Sequence, residues 1–404
     1  MPGLALEDVR VLDLTHHLCG PYATKLLADF GADVIKIERP GRGDLARYLN
    51  PHKNDERHPE KSGIFFYLNT NKRSITLDLK REAGRQVFFD LLATADLVVE
   101  NFRPGVMDEL GLGYRELRAR KPNVVMLSIS NFGQSGPYRD WAGSELVLFA
   151  MGGEMYSMGI EEREPIKMAG TAALFQSGSA AAVAAMGAVY GAKWGGEGTH
   201  LDISIYETQA GGVDRRHASI IGYQFSGRIS GRVGVGAVLG FPNGVFPCAD
   251  GFVEISGGGS RFPGTVRMLG SPPELSGPEW LEPAAALRAD LKERFDAIFY
   301  PWLIEHTKRE IWQLAQENHV LCAPLYTMED LFTDPVLRER GFFVEVEHPY
   351  MGRFTMPGRP FLMSETPWTL RRRAPLLGEH TDEVLREIGY DGERIAALRR
   401  AGVV

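Results

Sequence analysis

The chain has 404 residues, 44% of them hydrophobic and 24% charged, with a formal net charge of −7. That length can bury two well-formed cores, and the acidic balance argues against a general nucleic-acid surface. Three scattered cysteines, Cys19, Cys248 and Cys322, show no CxxC spacing, so neither a disulfide framework nor a zinc site is expected, and no His/Cys/Asp/Glu cluster has metal-ligand spacing. The opening residues, MPGLALEDVRVLDLT, lack the basic and apolar regions of a signal peptide, which makes a soluble cytoplasmic protein the expectation.

Val9 to Leu14 reads as a buried strand, followed by the turn THHLCGP, a helix over Tyr22 to Phe30 and a second strand over Ala32 to Glu38. The short links suit a parallel βαβ unit with a right-handed crossover. The first turn carries only Gly20 and lacks GxGxxG, so NAD binding has weak support. Arg39 and Arg42 sit in the Pro/Gly loop that ends the second strand. Ligands of open α/β sheets bind at that edge, so both are candidate phosphate contacts beside their plainer reading as surface arginines. Residues 45–63 form a polar excursion. Asn69-Thr70-Asn71-Lys72-Arg73 then leads into a strand, SITLDL, and could hold a phosphate through the charges of Lys72 and Arg73 and the Asn amides. A helix over Arg81 to Ala93, a strand over Asp96 to Glu100, the loop Asn101-Phe102-Arg103-Pro104-Gly105, a helix over Met107 to Leu117 and a strand over Asn123 to Ser130 continue the alternation. The pattern predicts a doubly wound α/β sheet with one functional edge.

The stretch Pro165 to Glu207 is decisive. A run of small apolar residues from about Thr171 to Ala192 is too long for a strand and rich in helix formers. Its length would also suit a membrane span, but its Ala and Gly content, with Gln176, Ser177 and Ser179, predicts a buried, closely packed helix. The N-terminus of such a helix suits a reacting or anionic group, yet no Asp, Glu, Cys, Lys or His lies between Ala169 and Ala192. A Gly-rich turn and a strand over His200 to Ile205 follow.

Residues 222–245, Gly-rich and without apolar period, read as a linker into a second domain. Val245 to Ser256 looks like a hairpin turning at Asp250-Gly251, and Gly257 to Ser260 reads either as a lid or phosphate loop or as a tight chain reversal. Helices are expected over Pro263 to Leu269, Pro283 to Tyr300, Lys308 to Asn318 and Met328 to Glu339, strands within Phe342 to Thr355, and helices over Thr381 to Ile388 and Asp391 to Ala401. The expected division is 1–221 as the first part of a large domain, 222–327 as a linker and small domain, and 328–404 as the return to the large domain.

The segments VLDLTHHLCGPYATKLLADFGADVIKIERPGRGD, NTNKRSITLDLK, ADLVVENFRPGVMDELGLGY, SISNFGQSGP, GEGTHLDISIYE and LLGEHTDEVLREIGY together closely resemble the family III CoA-transferases. The resemblance implies a Rossmann-like large domain, a smaller α+β domain and two subunits interlocked like links of a chain. It implies CoA and acyl-CoA as substrates, no permanently bound cofactor and no membrane or nucleic-acid partner. Family contacts to CoA match Arg39, Asn69, Lys72, Arg73, Asn101 and Arg103, while an arginine carried by many members is here Glu109. The family uses one Asp as a nucleophile, because only a carboxylate can form the mixed anhydride that passes the acyl group on. It stands four residues before a Gly, and that position matches Leu174, four before Gly178. The His/Asp pair of the racemase branch has no match between Phe132 and Met168 beyond Asp140. The resemblance therefore implies the non-catalytic subunit of a heteromer whose Asp-bearing paralogue supplies the active site, as in the succinyl-CoA:(R)-benzylsuccinate enzyme of toluene breakdown. Two other readings stand beside it. One is an active transferase with a relocated carboxylate, Glu145; the other is an acyl-CoA binding protein without transfer chemistry. His16, His17, Asp202 and Glu207 read as pocket-shaping or fold-stabilising residues.

Overall fold

The computed structural model describes residues 3–212, 215–229, 231–232, 240–282 and 284–404. Two compact units emerge, one comprising Met1–Met155, Lys167–Ile229 and Glu339–Val404, the other Tyr156–Ile166 and Ser230–Arg338.

In the larger unit the alternation becomes β1 (Arg10–Asp13), α1 (Cys19–Asp29), β2 (Asp33–Glu38), α2 (Gly63–Leu68), β3 (Arg73–Thr76), α3 (Glu82–Leu92), β4 (Leu97–Glu100), α4 (Val106–Glu109), α5 (Tyr114–Arg120), β5 (Val125–Ser130), α6 (Glu145–Met151), α7 (Ala172–Gly195), β6 (His200–Ser204), α8 (Ile205–Ala210) and α9 (Arg215–Ser226). The six strands are all parallel in the order β3-β2-β1-β4-β5-β6. Because the central strands β1, β4 and β5 are buried on both faces, they read as near-continuous apolar runs, whereas the edge strand β6 alternates. Val98, Met126 and Leu12 point into one core with Phe88 and Leu117; Val99, Leu127 and Val11 point into the other with Ala28 and Ala185. The chain order reverses between β1 and β4, so a crevice opens there at the carboxyl ends of the strands.

Helix α7 packs its small residues Ala173, Gly178, Ala181, Ala185 and Val189 inward. A Cβ on Gly178 would meet the Cys19 carbonyl oxygen at 2.7 Å, so the absent side chain lets α1 and α7 approach closely. Gly178→Val is expected to destabilise the fold by about 1–3 kcal/mol, read as a lowered urea midpoint. The expectation of burial holds for one face only. Val183, Tyr190 and Trp194 are exposed, Trp194 to 78%. Among the described residues α7 is the one helix long and apolar enough to cross a bilayer, and its inner face is packed against protein.

The second unit carries an antiparallel sheet in the order β7-β8-β9, from β7 (Asn243–Cys248), β8 (Gly251–Ser256) and β9 (Leu321–Pro324), with α10 (Phe262–Met268), α11 (Ala289–Glu305), α12 (Lys308–Glu317), α13 (Met328–Thr333) and α14 (Pro335–Glu339). Phe295, Phe299, Trp280 and Val253 fill its core. The chain returns to the larger unit through β10 (Phe343–His348), β11 (Gly352–Pro357), α15 (Thr381–Glu387) and α16 (Gly392–Arg400).

Several expectations are corrected. The linker expected from residue 222 is helical as far as Ser226, and its residues 230 and 233–239 lie outside the described set, as does Pro283. The helix over Met107 to Leu117 is two short helices separated at Gly111, whose φ of 69° is left-handed and unsuited to a continuous helix. Met328 to Glu339 breaks before Pro335, which cannot donate to the preceding turn. The units change at Ser230 and Glu339, later than the expected 222 and 328, and Tyr156–Ile166 joins the smaller unit.

Candidate active-site cleft

The crevice between β1 and β4 is built by two loops that hold each other. The side chain of Asn101, one residue beyond β4, accepts a hydrogen bond from the His16 amide and donates one to the His16 carbonyl, both at 2.8 Å. The β1–α1 turn needs this support because His17 has a φ of 73°, in the left-handed region that most side chains avoid. Its amide is held at 2.9 Å by the Asp44 carboxylate. Phe102 packs against the His16 ring at 5.5 Å, and its amide donates at 2.7 Å to Glu100. Only 3% of Glu100 is exposed, and burial pushes its carboxyl up to about 7 against hydrogen bonds from Ser128 and the Phe102 amide.

Beside these loops lies a cleft of about 580 Å³ whose charged and aromatic lining is Arg103, Arg139, Glu109, Asp140, Phe102 and Trp141. Trp141 is 57% exposed and packs on Tyr138 at 4.2 Å between ring centres. Arg139 donates at 2.9 Å to the Gln134 carbonyl and pairs with Asp140 at 3.1 Å. An exposed indole beside guanidinium groups suits a ligand that combines a flat heterocycle with phosphate, by stacking and by charge-assisted hydrogen bonds.

The sequence-predicted residues are placed differently from one another. Asn101 and Arg103 line the cleft. Arg39 and Arg42 are exposed at the end of β2. Asn69, Lys72 and Arg73 face inward. The Lys72 ammonium is fully enclosed by Asp13 at 3.0 Å, Thr24 at 2.8 Å, the Pro21 carbonyl at 2.9 Å and Asn69 at 3.0 Å. The Asn69 amide donates in turn to the Phe65 carbonyl. Arg73 is spent on Asp33, Glu383 and Glu387. Lys72 and Asn69 build the floor of the β1–α1 turn, whereas Arg73 ties the start of β2 to helix α15; none of the three presents donors to solvent.

That floor is a buried ion network. Lys36 lies 2.8 Å from Asp44 and 4.0 Å from Asp13, and it donates at 2.8 Å to the Thr15 carbonyl. Burial pushes the Asp13 carboxyl up, but Lys36 and Lys72, with the Thr15 and Thr24 hydroxyls, outweigh it and hold it at about 2. Next to it Arg47, also fully buried, holds Glu38 through both of its oxygens at 2.8 Å. Neither Arg47 nor Glu100 carried a sequence signal: Glu38 lies on another element, and Glu100 is buried by the strand beside it.

At the far end of the region, Leu174 occupies the first turn of α7 and packs half-buried into the core shared with α1. Its neighbour Phe175 meets Tyr22 edge-on at 4.7 Å. The loop before α7 is tied down by Lys167, which donates at 2.6 Å to the carbonyls of Met168 and Gly170 and pairs at 3.1 Å with Glu145, the first residue of α6. Glu145 is thereby brought beside the approach to α7, as the carboxylate of a closed ion pair.

A family model described as CoA-transferase family III matches residues 6–381. The chain belongs to that family. It is 33% identical over 406 residues to the succinyl-CoA–D-citramalate CoA-transferase of Chloroflexus aurantiacus, covering 100% of this chain and 99% of the relative. It is 32% identical over 412 residues to subunit BbsE of the succinyl-CoA:(R)-benzylsuccinate CoA-transferase of Thauera aromatica, covering 100% of this chain and 98% of that one. Among solved structures, a CAIB/BAIF family protein from Brucella suis superposes with a TM-score of 0.84 at 28% identity, covering 96% of this chain and 100% of that one. CoA-transferases use CoA thioesters as substrates.

Proposed function

We propose that this chain is the non-catalytic subunit of a heteromeric family III CoA-transferase, moving CoA from succinyl-CoA to a carboxylic acid of the benzylsuccinate type. One observation carries this reading: the first turn of α7, where the helix N-terminus would favour a carboxylate, presents Leu174 and Phe175 packed against α1. A hydrocarbon cannot attack a thioester, so the Asp must come from a paralogous partner. That partner's carboxylate would displace CoA thiolate from the donor as a mixed anhydride. The thiolate would return to form an enzyme thioester and release the donor acid, and the acceptor acid would then take the CoA by the same two exchanges. The role left to this chain is the interlocked scaffold and part of the CoA environment. Of the expected contacts, Arg39, Asn101 and Arg103 remain as proposed CoA ligands, with Arg139 and Trp141 added; Asn69, Lys72 and Arg73 are proposed as their support. The exposed Val183, Tyr190 and Trp194 on α7 supply apolar surface for a partner subunit in an interlocked assembly. A cytoplasmic setting is proposed with it.

CoA exchange between succinyl-CoA and candidate acids tests the proposal. The chain alone should remain at background, and a sample co-expressed and co-purified with an Asp-bearing paralogue should turn over. Robust exchange by the chain alone would overturn it. The ion pair between Glu145 and Lys167 favours a second reading in which Glu145 is a relocated nucleophile; it predicts that Glu145→Gln abolishes exchange by the isolated chain, whereas the first predicts no activity to lose.

A further inference from the structure

We propose that Glu100 is a positioning residue that couples occupancy of the cleft by a polyanionic ligand, a CoA thioester in the reading above on which this rests, to proton uptake by the protein. Glu100 is the last residue of β4, and the two residues after it build the cleft: Asn101 clamps the β1–α1 turn, and Phe102 lines the wall. Its carboxylate accepts from the Phe102 amide, so the carboxyl group sits directly behind the ligand-facing loop. The groups that face it come from three neighbouring elements. Ser128 on β5 is its register partner, and its hydroxyl favours the ionised form. On β6, His200 lies 2.8 Å from the Ser128 hydroxyl, and Asp202 adds negative charge; Asp108 on α4 adds more. No Lys or Arg pairs with Glu100 among the described residues. A buried carboxyl with two acidic neighbours and no cation is held near neutrality, where it is half protonated.

A ligand carrying several phosphate charges, placed over this loop, disfavours the ionised form further. Binding must then draw a proton onto Glu100, and by linkage the ligand binds more tightly as pH falls. Arg103 in the same loop gives the phosphates a partner in the cleft while leaving Glu100 unpaired behind it. The carboxyl group thus reports on, and responds to, the charge in the cleft without touching the ligand.

The test uses the full chain, in whatever complex it purifies, with CoA as the probe. Calorimetry in two buffers of different ionisation enthalpy reads the protons taken up per CoA at pH 7. Comparison with Glu100→Gln cancels the titration of CoA itself, and Gln keeps an oxygen for the Phe102 amide. The wild-type chain should take up as much as about half a proton more than the variant, and its CoA affinity should fall about three- to tenfold more between pH 6 and pH 8. Asp202→Asn, which leaves Glu100 in place and removes one acidic neighbour, should move that fall to lower pH. Equal uptake by wild type and Glu100→Gln overturns the coupling and leaves CoA in the cleft. Failure of CoA to bind either chain overturns both the coupling and the cleft assignment. Without ligand, wild type should lose stability relative to Glu100→Gln as pH rises from about 4.5 to about 7, because the folded state there holds a proton that the unfolded chain releases. A flat difference over that window also overturns the proposal.

Discussion

Lys36→Met is expected to cost about 3–5 kcal/mol of folding stability, the range for removing one partner from a buried ion pair. Lys36 is fully buried, and its ammonium is shared by Asp44, Asp13 and the Thr15 carbonyl. Met fills much of the space but leaves Asp44 without its nearest cation and takes from Asp13 one of its two, in a site closed to water. Pairing the change with Asp44→Asn removes both charges and should recover part of the loss, which separates the orphaned charge from the altered packing. Equilibrium urea unfolding of the two variants measures this; a loss below about 1 kcal/mol for Lys36→Met would refute the account. The same network sets the acid limit. Asp13 is held at about 2, and Asp44 is also lowered against burial by Lys36 and His16. Carboxyls depressed in the folded state stabilise it fully above the unfolded value near 4. That stability drains as pH falls from about 4 towards about 2. Because Asp44 also holds the strained His17 amide, the substitution should loosen the β1–α1 turn that Asn101 grips. The cleft is therefore expected to lose its shape before the sheet unfolds.

This network also marks the boundary of what was legible in the sequence. The central strands were legible because parallel strands buried on both faces are short apolar runs, and their polar Gly/Pro ends marked the edge of the sheet where the chain turns. Asn101 and Arg103 came from the family resemblance alone, and both line the cleft. Lys72 has the same local appearance, a cation in a polar turn, yet it faces inward. Its partner Asp13 is 59 residues away on β1, and nothing near Lys72 announces it. Helix α2 was missed because GIFFYL is too short and uniformly apolar to show a period. Ser62, whose hydroxyl accepts from the Phe65 amide, was the available signal. Arg139 and Trp141 escaped because a loop's charge and aromatic content do not reveal which wall of a crevice it forms. Glu100 escaped because a carboxylate ending a strand looks like any solvated residue until Ser128 and Phe102 close over it.

Leu174→Asp should fold and should give the isolated chain the covalent chemistry that the proposed role denies it. Position 174 is the third residue of α7, behind Thr171 at the cap. A carboxylate there interacts favourably with the helix N-terminus by about 0.3–1 kcal/mol. Against this stands the loss of a half-buried Leu, about 1 kcal/mol at the usual area coefficient. The two nearly cancel, so the urea midpoint should move little. Incubated with succinyl-CoA, the variant should accumulate CoA joined through a thioester at residue 174, seen by intact mass and peptide mapping, while the unsubstituted chain stays unlabelled. Glu145→Gln in the variant background should leave the label in place, since the carboxylate that reacts is the new one. A folded Leu174→Asp chain that still binds CoA and carries no label would show that the pocket lost more than its nucleophile. In that case the apolar packing of Phe175 on Tyr22 becomes the next feature to change, because it closes the wall beside the reacting position.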